Sequence, residues 1–351
     1  MPHTTLRNYL STPNPQFRRL QNTEQDLSTT DTPGWDPIEG KEQWHDFARD
    51  QIDLILGLVL DHEFDLPEQP PVLPAQLEIR DERSFESVLL GYNCIIVNVA
   101  LKAACEYLQL PQITWLVGSY ARAATDKGRI YPDWAGIGAK DTGNNILPGD
   151  SKFAQRAFSL GDLEDFYQHA EEDSDDVMMD ETSSEESLFQ DRWTRASEKC
   201  LEQVNHYARC YNSRYCYLVS PIEALLGRRR MDEVLSPSRS LAKNRPIRPS
   251  TTASQPQRGE SVPLSSSPSA LSSSPGYTDH GHPDTNMKPI ELCTIRWEAQ
   301  GMGVMTFNLA LWAIHMVSAI ENKVEANYPV MGVDPAYQIF SSRYQSLSRG
   351  G

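Results

Sequence analysis

Two short stretches carry residues whose types and spacing fit one reaction. Pro132 and Asp133 lie in YPDWAG, and Asp150, Ser151 and Lys152 lie in LPGDSKF. In a β-strand, residues i and i+2 project to one face, so Asp150 and Lys152 point together. If 128–134 and 146–153 pair as a hairpin, Asp133 comes beside them. Two carboxylates and one ammonium then converge at the end of a sheet. Two carboxylates with a backbone carbonyl make a hard oxygen site for Mg²⁺. Such a cation polarises a scissile phosphate and acidifies a bound water, while a lysine orients that water and offsets the charge developing on phosphorus. The cluster fits metal-assisted phosphodiester hydrolysis. Plainer readings stand beside it: an aspartate after proline also serves a turn, and a lone lysine is commonly a solvated surface group.

The elements that must position these residues read as one α/β pattern. From Glu42 the apolar residues Trp44, Phe47, Ile52, Ile55 and Leu56 recur at threes and fours, which predicts a helix. LPEQPPVLPAQ (66–76) is a connector. Ser84 reads as the N-cap of a long apolar helix over 85–108. ITWLVGS (113–119), GRIYPDWAG (128–136) and NILPGDSKF (145–153) read as strands, the last two joined by the turn-rich GIGAKDTGN. A helix over 188–212 and a strand at RYCYLVS (214–220) follow. IELCTIRW (290–297) reads as a further strand and MTFNLALWAIHMVSAIE (305–321) as a buried helix. The expected fold is a mixed sheet flanked by helices, within a domain spanning 41–330.

Three stretches do not fit that pattern. Residues 1–40 read as a disordered tail with a few local contacts, and 331–351 as a C-terminal tail. Residues 161–186 hold twelve Asp and Glu with no Lys or Arg, so the rest of the chain carries about −4 of the total −16. That run reads as a solvated insertion, with mimicry of nucleic acid as the sharper alternative. Residues 235–286 are rich in Ser and Pro and read as a disordered insertion. After 214–220, PIEALLGRRR is expected to run into that disorder. Arg228, Arg229 and Arg230, with Lys243, Arg245 and Arg248, form a dispersed basic stretch that suits nuclear import, nucleic-acid contact or compensation of the acidic run.

Composition narrows the class. A pI of about 4.9 excludes a basic protein that coats nucleic acid. The absence of an unbroken run of 18 apolar residues argues against a membrane span, and the N-terminus has no apolar signal region. Six cysteines without CxxC spacing read as buried reduced thiols, consistent with a cytoplasmic or nuclear location. His206 and His315 read as surface or core groups, and Trp297 and Trp312 as core.

Pro132-Asp133 followed by Asp150-Ser151-Lys152 resembles the signature of the PD-(D/E)xK nuclease superfamily, which has the restriction-endonuclease-like fold. Gln203 and Tyr207, four apart on the helix after the signature, resemble the Q-xxx-Y motif of its exonuclease-like branch. PDWAG, ILPGDSKF, QVNHYARCYNSRYCYLVSP and IRW with FNLALWAIHMVSAIE also resemble a group of uncharacterised fungal proteins related to that superfamily. The likeness covers roughly 85–330 without the insertions. It implies a restriction-endonuclease-like α/β core and a Mg²⁺-dependent nuclease, or a protein that binds nucleic acid on the same scaffold. It implies Asp133, Asp150 and Lys152 as catalytic residues, and Gln203 and Tyr207 as substrate-positioning residues. Asp133, Asp150 and the helical Glu86 would hold the metal. An exposed first-turn glutamate is the plainer reading of Glu86, and ordinary helix positions that of Gln203 and Tyr207. The competing class is a catalytically inactive scaffold or accessory protein, with an accessory role in a fungal biosynthetic pathway as a third alternative.

Overall fold

The structure, a computed structural model, describes residues 3–19, 35, 38, 40–118, 131–139, 144–153, 158, 182–231 and 289–348, with the side chains of 182–192 outside that set. The expectations for 161–181 and 235–286, and for Lys243, Arg245 and Arg248, lie outside the described residues.

In chain order the elements are β1 (His3–Thr5), α1 (Leu6–Leu10), β2 (Arg18–Arg19), β3 (Lys41–Gln43), α2 (Arg49–Leu60), β4 (Glu63–Asp65), β5 (Glu78–Ile79) and α3 (Glu82–Val88). A π-helical turn (Leu89–Asn93) leads to α4 (Cys94–Leu108), then β6 (Ile113–Val117), β7 (Trp134–Gly138), β8 (Asn145–Ser151) and α5 (Thr182–Cys210). β9 (Tyr215–Val219), β10 (Glu223–Arg228), β11 (Ile290–Arg296), α6 (Phe307–Ile320) and α7 (Gln338–Ser348) complete the chain.

Seven strands form a mixed sheet in the order β3-β11-β10-β9-β8-β7-β6. The β8–β9 and β3–β11 pairs are parallel and the others antiparallel. β7 and β8 form the expected hairpin, with Trp134 opposite Gly149. The chain then reaches β9 after passing through α5, as a parallel neighbour requires.

Alternation along the strands sorts the core into two layers. Trp115, Trp134, Leu147, Tyr215, Tyr217, Val219 and Ile295 pack toward α4 and α6. Cys216, Leu218, Leu225 and Leu292 face the α5 residues Cys200, Leu201, Val204 and Ala208. α6 is apolar nearly all round and is buried from Phe307 to Ser318, as a helix without a polar face must be. Its Thr306 cap accepts from the Leu309 N–H.

Several expectations change. PIEALLGRRR is no exit toward disorder: Glu223–Arg228 is a strand hydrogen-bonded on both sides. The stretch 1–40 is not wholly a tail, because Leu6, Tyr9 and Leu10 are buried and Arg7 pairs with Asp53 and Asp61. One turn of helix is too short to register as a sustained period. The stretch 331–351 buries Met331, Tyr337 and Phe340. Helix α3 is capped by Asp81, whose side chain accepts from the Ser84 N–H, while Ser84 returns a bond to the Asp81 N–H. The helix therefore starts three residues before the expected boundary. The continuous helix Glu82–Leu108 is long and apolar enough to cross a membrane by length and composition. The apolar-run criterion passes over it because Asn93, Asn98 and Lys102 interrupt it; its buried residues, Ile96, Val97, Ala100 and Leu101 among them, belong to the core.

Candidate active site

Asp133 sits one residue before β7, not within the strand. Pro132 has no N–H for the ladder, and the last β6–β7 bond runs from the Gly118 N–H to the Asp133 carbonyl at 2.7 Å. A side chain at Gly118 would drive its Cβ to 1.7 Å from the Pro132 oxygen, so the approach requires glycine. The Asp133 carboxylate accepts from the Ser151 N–H at 2.9 Å. That bond ties the start of β7 to the end of β8. On the opposite face, Trp134 Nε1 donates to Ser151 Oγ at 2.5 Å.

Ser151 therefore looks away from α5, and Asp150 and Lys152 look toward it. The expected common face of Asp150 and Lys152 is present: Lys152 Nζ lies 2.5 Å from Asp150 Oδ2. Both are buried, at 1% and 5% exposure. The Asp150 carboxyl also contacts that of Asp133. Burial pushes the Asp150 carboxyl well up, against the pull of Lys152, with Asp133 adding to the rise. Burial alone would depress the Lys152 ammonium, but Asp150 and Glu82 outweigh it and hold the charge.

The third part comes from α3. Glu82 and Glu86 lie one turn apart and so share a face. One carboxylate oxygen each of Glu82, Glu86 and Asp133 lie within 4.8 Å of one another. Glu82 is 4.0 Å from Lys152 Nζ. Burial, then the charges of Asp133 and Glu82, push Glu86 up to about 7. Burial also raises Glu82, opposed by Lys152 and supported by Asp133.

The expected metal ligands Asp133 and Glu86 thus come together, with Asp150 beside Asp133. Sequence reasoning missed Glu82. Its signal was the Glu-x-x-x-Glu spacing, hidden by placing the helix start at Ser84. Three close, half-buried carboxylates match the donor set of a hard divalent cation such as Mg²⁺. Their crowding, visible in the upward shifts, is what a cation would relieve.

Gln203 and Tyr207 lie on α5, where Gln203 Nε2 donates to the Tyr207 hydroxyl at 2.7 Å. Gln203 Oε1 is buried and has no hydrogen-bond partner among the described residues. Burial, and after it the charge of Asp150, push the Tyr207 phenol up to about 12.

Other expectations resolve differently. Arg228 is buried and bound to Glu291 and Asp46; Arg230 binds Glu291 and Glu42; Arg229 donates to the Ser213 carbonyl. All three arginines thus have partners within the protein, at and just beyond the end of β10. His315 is a core group: its Nδ1 lies 2.7 Å from the Leu311 carbonyl, and burial lowers it to about 4. His206 contacts Cys210 at 3.5 Å. The cysteines are free thiols, all buried except the half-buried Cys210, and Trp297 and Trp312 are core.

Comparison of the chain with family models, with curated proteins and with solved structures finds no match.

Proposed function

We propose that the chain is a Mg²⁺-dependent phosphodiesterase acting on nucleic acid, with Glu82, Glu86 and Asp133 as the metal-holding set. The observation that carries this reading is the approach of those three carboxylates to within 4.8 Å, beside a buried Lys152. The order helix, three strands, helix, strand and the residues of the PD-(D/E)xK signature support it. A bound divalent cation would supply Lewis acidity and lower the pKa of a water. Asp133 and Glu86 orient that centre from two elements, a strand start and a helix. Lys152 keeps its charge and offsets negative charge that develops on the phosphoryl oxygens. Asp150 serves first as the counterion that keeps Lys152 buried, and contacts Asp133 from behind. Tyr207, held by Gln203, faces the same cluster and orients the substrate.

One observation favours the inactive-scaffold reading. Asp150 and Lys152 neutralise each other inside the sheet, and a pair so buried can persist as a fold element alone. Purified protein is incubated with single- and double-stranded DNA and RNA in Mg²⁺, Mn²⁺ or Ca²⁺. Cleavage in Mg²⁺ or Mn²⁺ that Asp133→Asn and Glu86→Gln abolish supports the enzyme. Calorimetric binding of Mn²⁺ without cleavage supports the scaffold.

A further inference from the structure

Arg214, immediately before β9, is 2% exposed, and its Nε and Nη2 are buried without a hydrogen-bond partner. Among the described residues no carboxylate pairs with it: Asp46 and Glu291 engage Arg228, and Glu325 engages Lys323. Aromatic rings cover the guanidinium instead. Its Cζ lies 3.6 Å from the centre of the Tyr328 ring and 5.1 Å from that of Tyr215. The hydroxyl of Tyr328 fixes that ring, donating to the Arg229 carbonyl at 2.7 Å and accepting from the Glu325 N–H at 2.9 Å. A separation of 3.6 Å is contact with the flat face of the fork, which leaves the edge formed by Nε and Nη2 unmatched. Arg228 shows what such an edge takes. Its own Nε and Nη2 meet the two oxygens of Glu291 at 2.5 and 2.9 Å.

The geometry points to a second site, at which Arg214 binds a small oxyanion, phosphate or carboxylate, through two parallel N–H···O bonds. A guanidinium keeps its charge at any working pH, and a buried charge without a counter-ion is strongly destabilising. A water satisfies the N–H groups but not the charge. This site is separate from the acid cluster. Asp150 pairs with Leu218 near the end of β9, whereas Arg214 precedes Tyr215, the first residue of that strand. About 13 Å of strand lies between the two positions. Both edge nitrogens are shut from solvent, so a free ion reaches them and the backbone of a polymer does not. The way in lies beneath residues 321–330, which form neither helix nor strand. They cover Arg214 with Tyr328, and Asn322 accepts from the Arg214 N–H through its carbonyl at 3.1 Å and its Oδ1 at 2.9 Å.

The test is equilibrium dialysis of the full chain against radiolabelled phosphate in EDTA, so that no metal recruits phosphate to the acid cluster. Wild type binds about one phosphate per chain, saturably. Sulfate and acetate displace the label, and the stronger of the two shows whether the edge prefers a tetrahedral or a planar oxyanion. Chloride at equal ionic strength does not displace it, because it offers the fork one centre in place of two. Arg214→Met abolishes binding. Arg214→Lys keeps the charge but loses the fork, and weakens binding about tenfold. The proposal is overturned if wild type shows no saturable binding, which would leave water alone on the edge. Displacement by chloride as readily as by sulfate, or undiminished binding by folded Arg214→Met, overturns it too. Should Arg214→Met fail to fold, Arg214→Lys decides: a tenfold loss upholds the site and an unchanged affinity removes it.

Discussion

The Lys152 ammonium lies 2.5 Å from the Asp150 carboxylate with both side chains shut from solvent, so each is the condition for burying the other. Removing one member of such a pair leaves an uncompensated charge inside the sheet, at a cost of about 3–5 kcal/mol. Lys152→Ala and Asp150→Ala are each expected to destabilise the fold by that order in urea unfolding. The double variant Asp150→Asn with Lys152→Met removes both charges and recovers most of the loss. Two additive losses would show that the residues do not act as a pair.

Metal binding is expected to separate Asp150 from the three clustered carboxylates. Glu82→Gln, Glu86→Gln and Asp133→Asn each remove a charge from the cluster and are expected to weaken Mn²⁺ binding about tenfold or more. Asp150→Asn acts from behind Asp133 and costs less. Calorimetry on the four variants decides it. A larger effect from Asp150→Asn than from Glu82→Gln would return the site to the ligand set expected from sequence.

The cluster also sets a pH dependence. Glu86 is raised from 4.5 to about 7 and Glu82 is raised as well. The folded chain therefore keeps protons that the unfolded chain has released, and stability falls as pH rises through that window. About 1–2 kcal/mol is expected to be lost between about pH 4.5 and 7, discounted for solvent screening. Glu86→Gln flattens that slope, and Mn²⁺ opposes it near pH 7 by taking the place of the proton. Thermal melts across that range, with and without Mn²⁺, read both effects. A slope that Glu86→Gln leaves unaltered would place the titration elsewhere.

The legible part of this site is what strand periodicity controls. Asp150 and Lys152 two apart, and Asp133 at the mouth of the partner strand, follow from one hairpin. Glu82 was not legible because a capping box disguises the helix start: Ser84 looks like a cap and is the third residue of the first turn. β10 was hidden by its own ending, since three consecutive arginines read as solvated. Here Arg228 and Arg229 are buried at the end of β10, where Asp46 and Glu291 meet Arg228 and the Ser213 carbonyl meets Arg229. No local pattern announces Asp46 or Glu291 as a partner.

That arginine cluster gives the last prediction. Arg228 Nε and Nη2 engage Glu291 at 2.5 and 2.9 Å, and its Nη1 and Nη2 engage Asp46 at 3.1 and 2.9 Å. Its guanidinium also stands over the Trp44 and Tyr328 rings, at 4.9 and 5.0 Å from the ring centres. A planar fork can meet two carboxylates and two rings at once, and an ammonium cannot. Arg228→Lys is therefore expected to be far from neutral, and Arg228→Ala to cost about 3–5 kcal/mol by leaving Glu291 buried without that partner. Burial alone would raise the Glu291 carboxyl, but Arg228 and Arg230 reverse the sign and hold it below its usual value. A lowered carboxyl lends stability above its unfolded pKa of about 4.5 and loses it as pH falls below that. Arg228→Ala should accordingly weaken the fall in stability on the acid side, seen in urea unfolding between about pH 3 and 6. Binding of single-stranded nucleic acid by the folded fraction should be unchanged, because the guanidinium is spent inside the protein. A variant that folds normally but loses nucleic-acid affinity would restore Arg228 to the interface role that its sequence suggested.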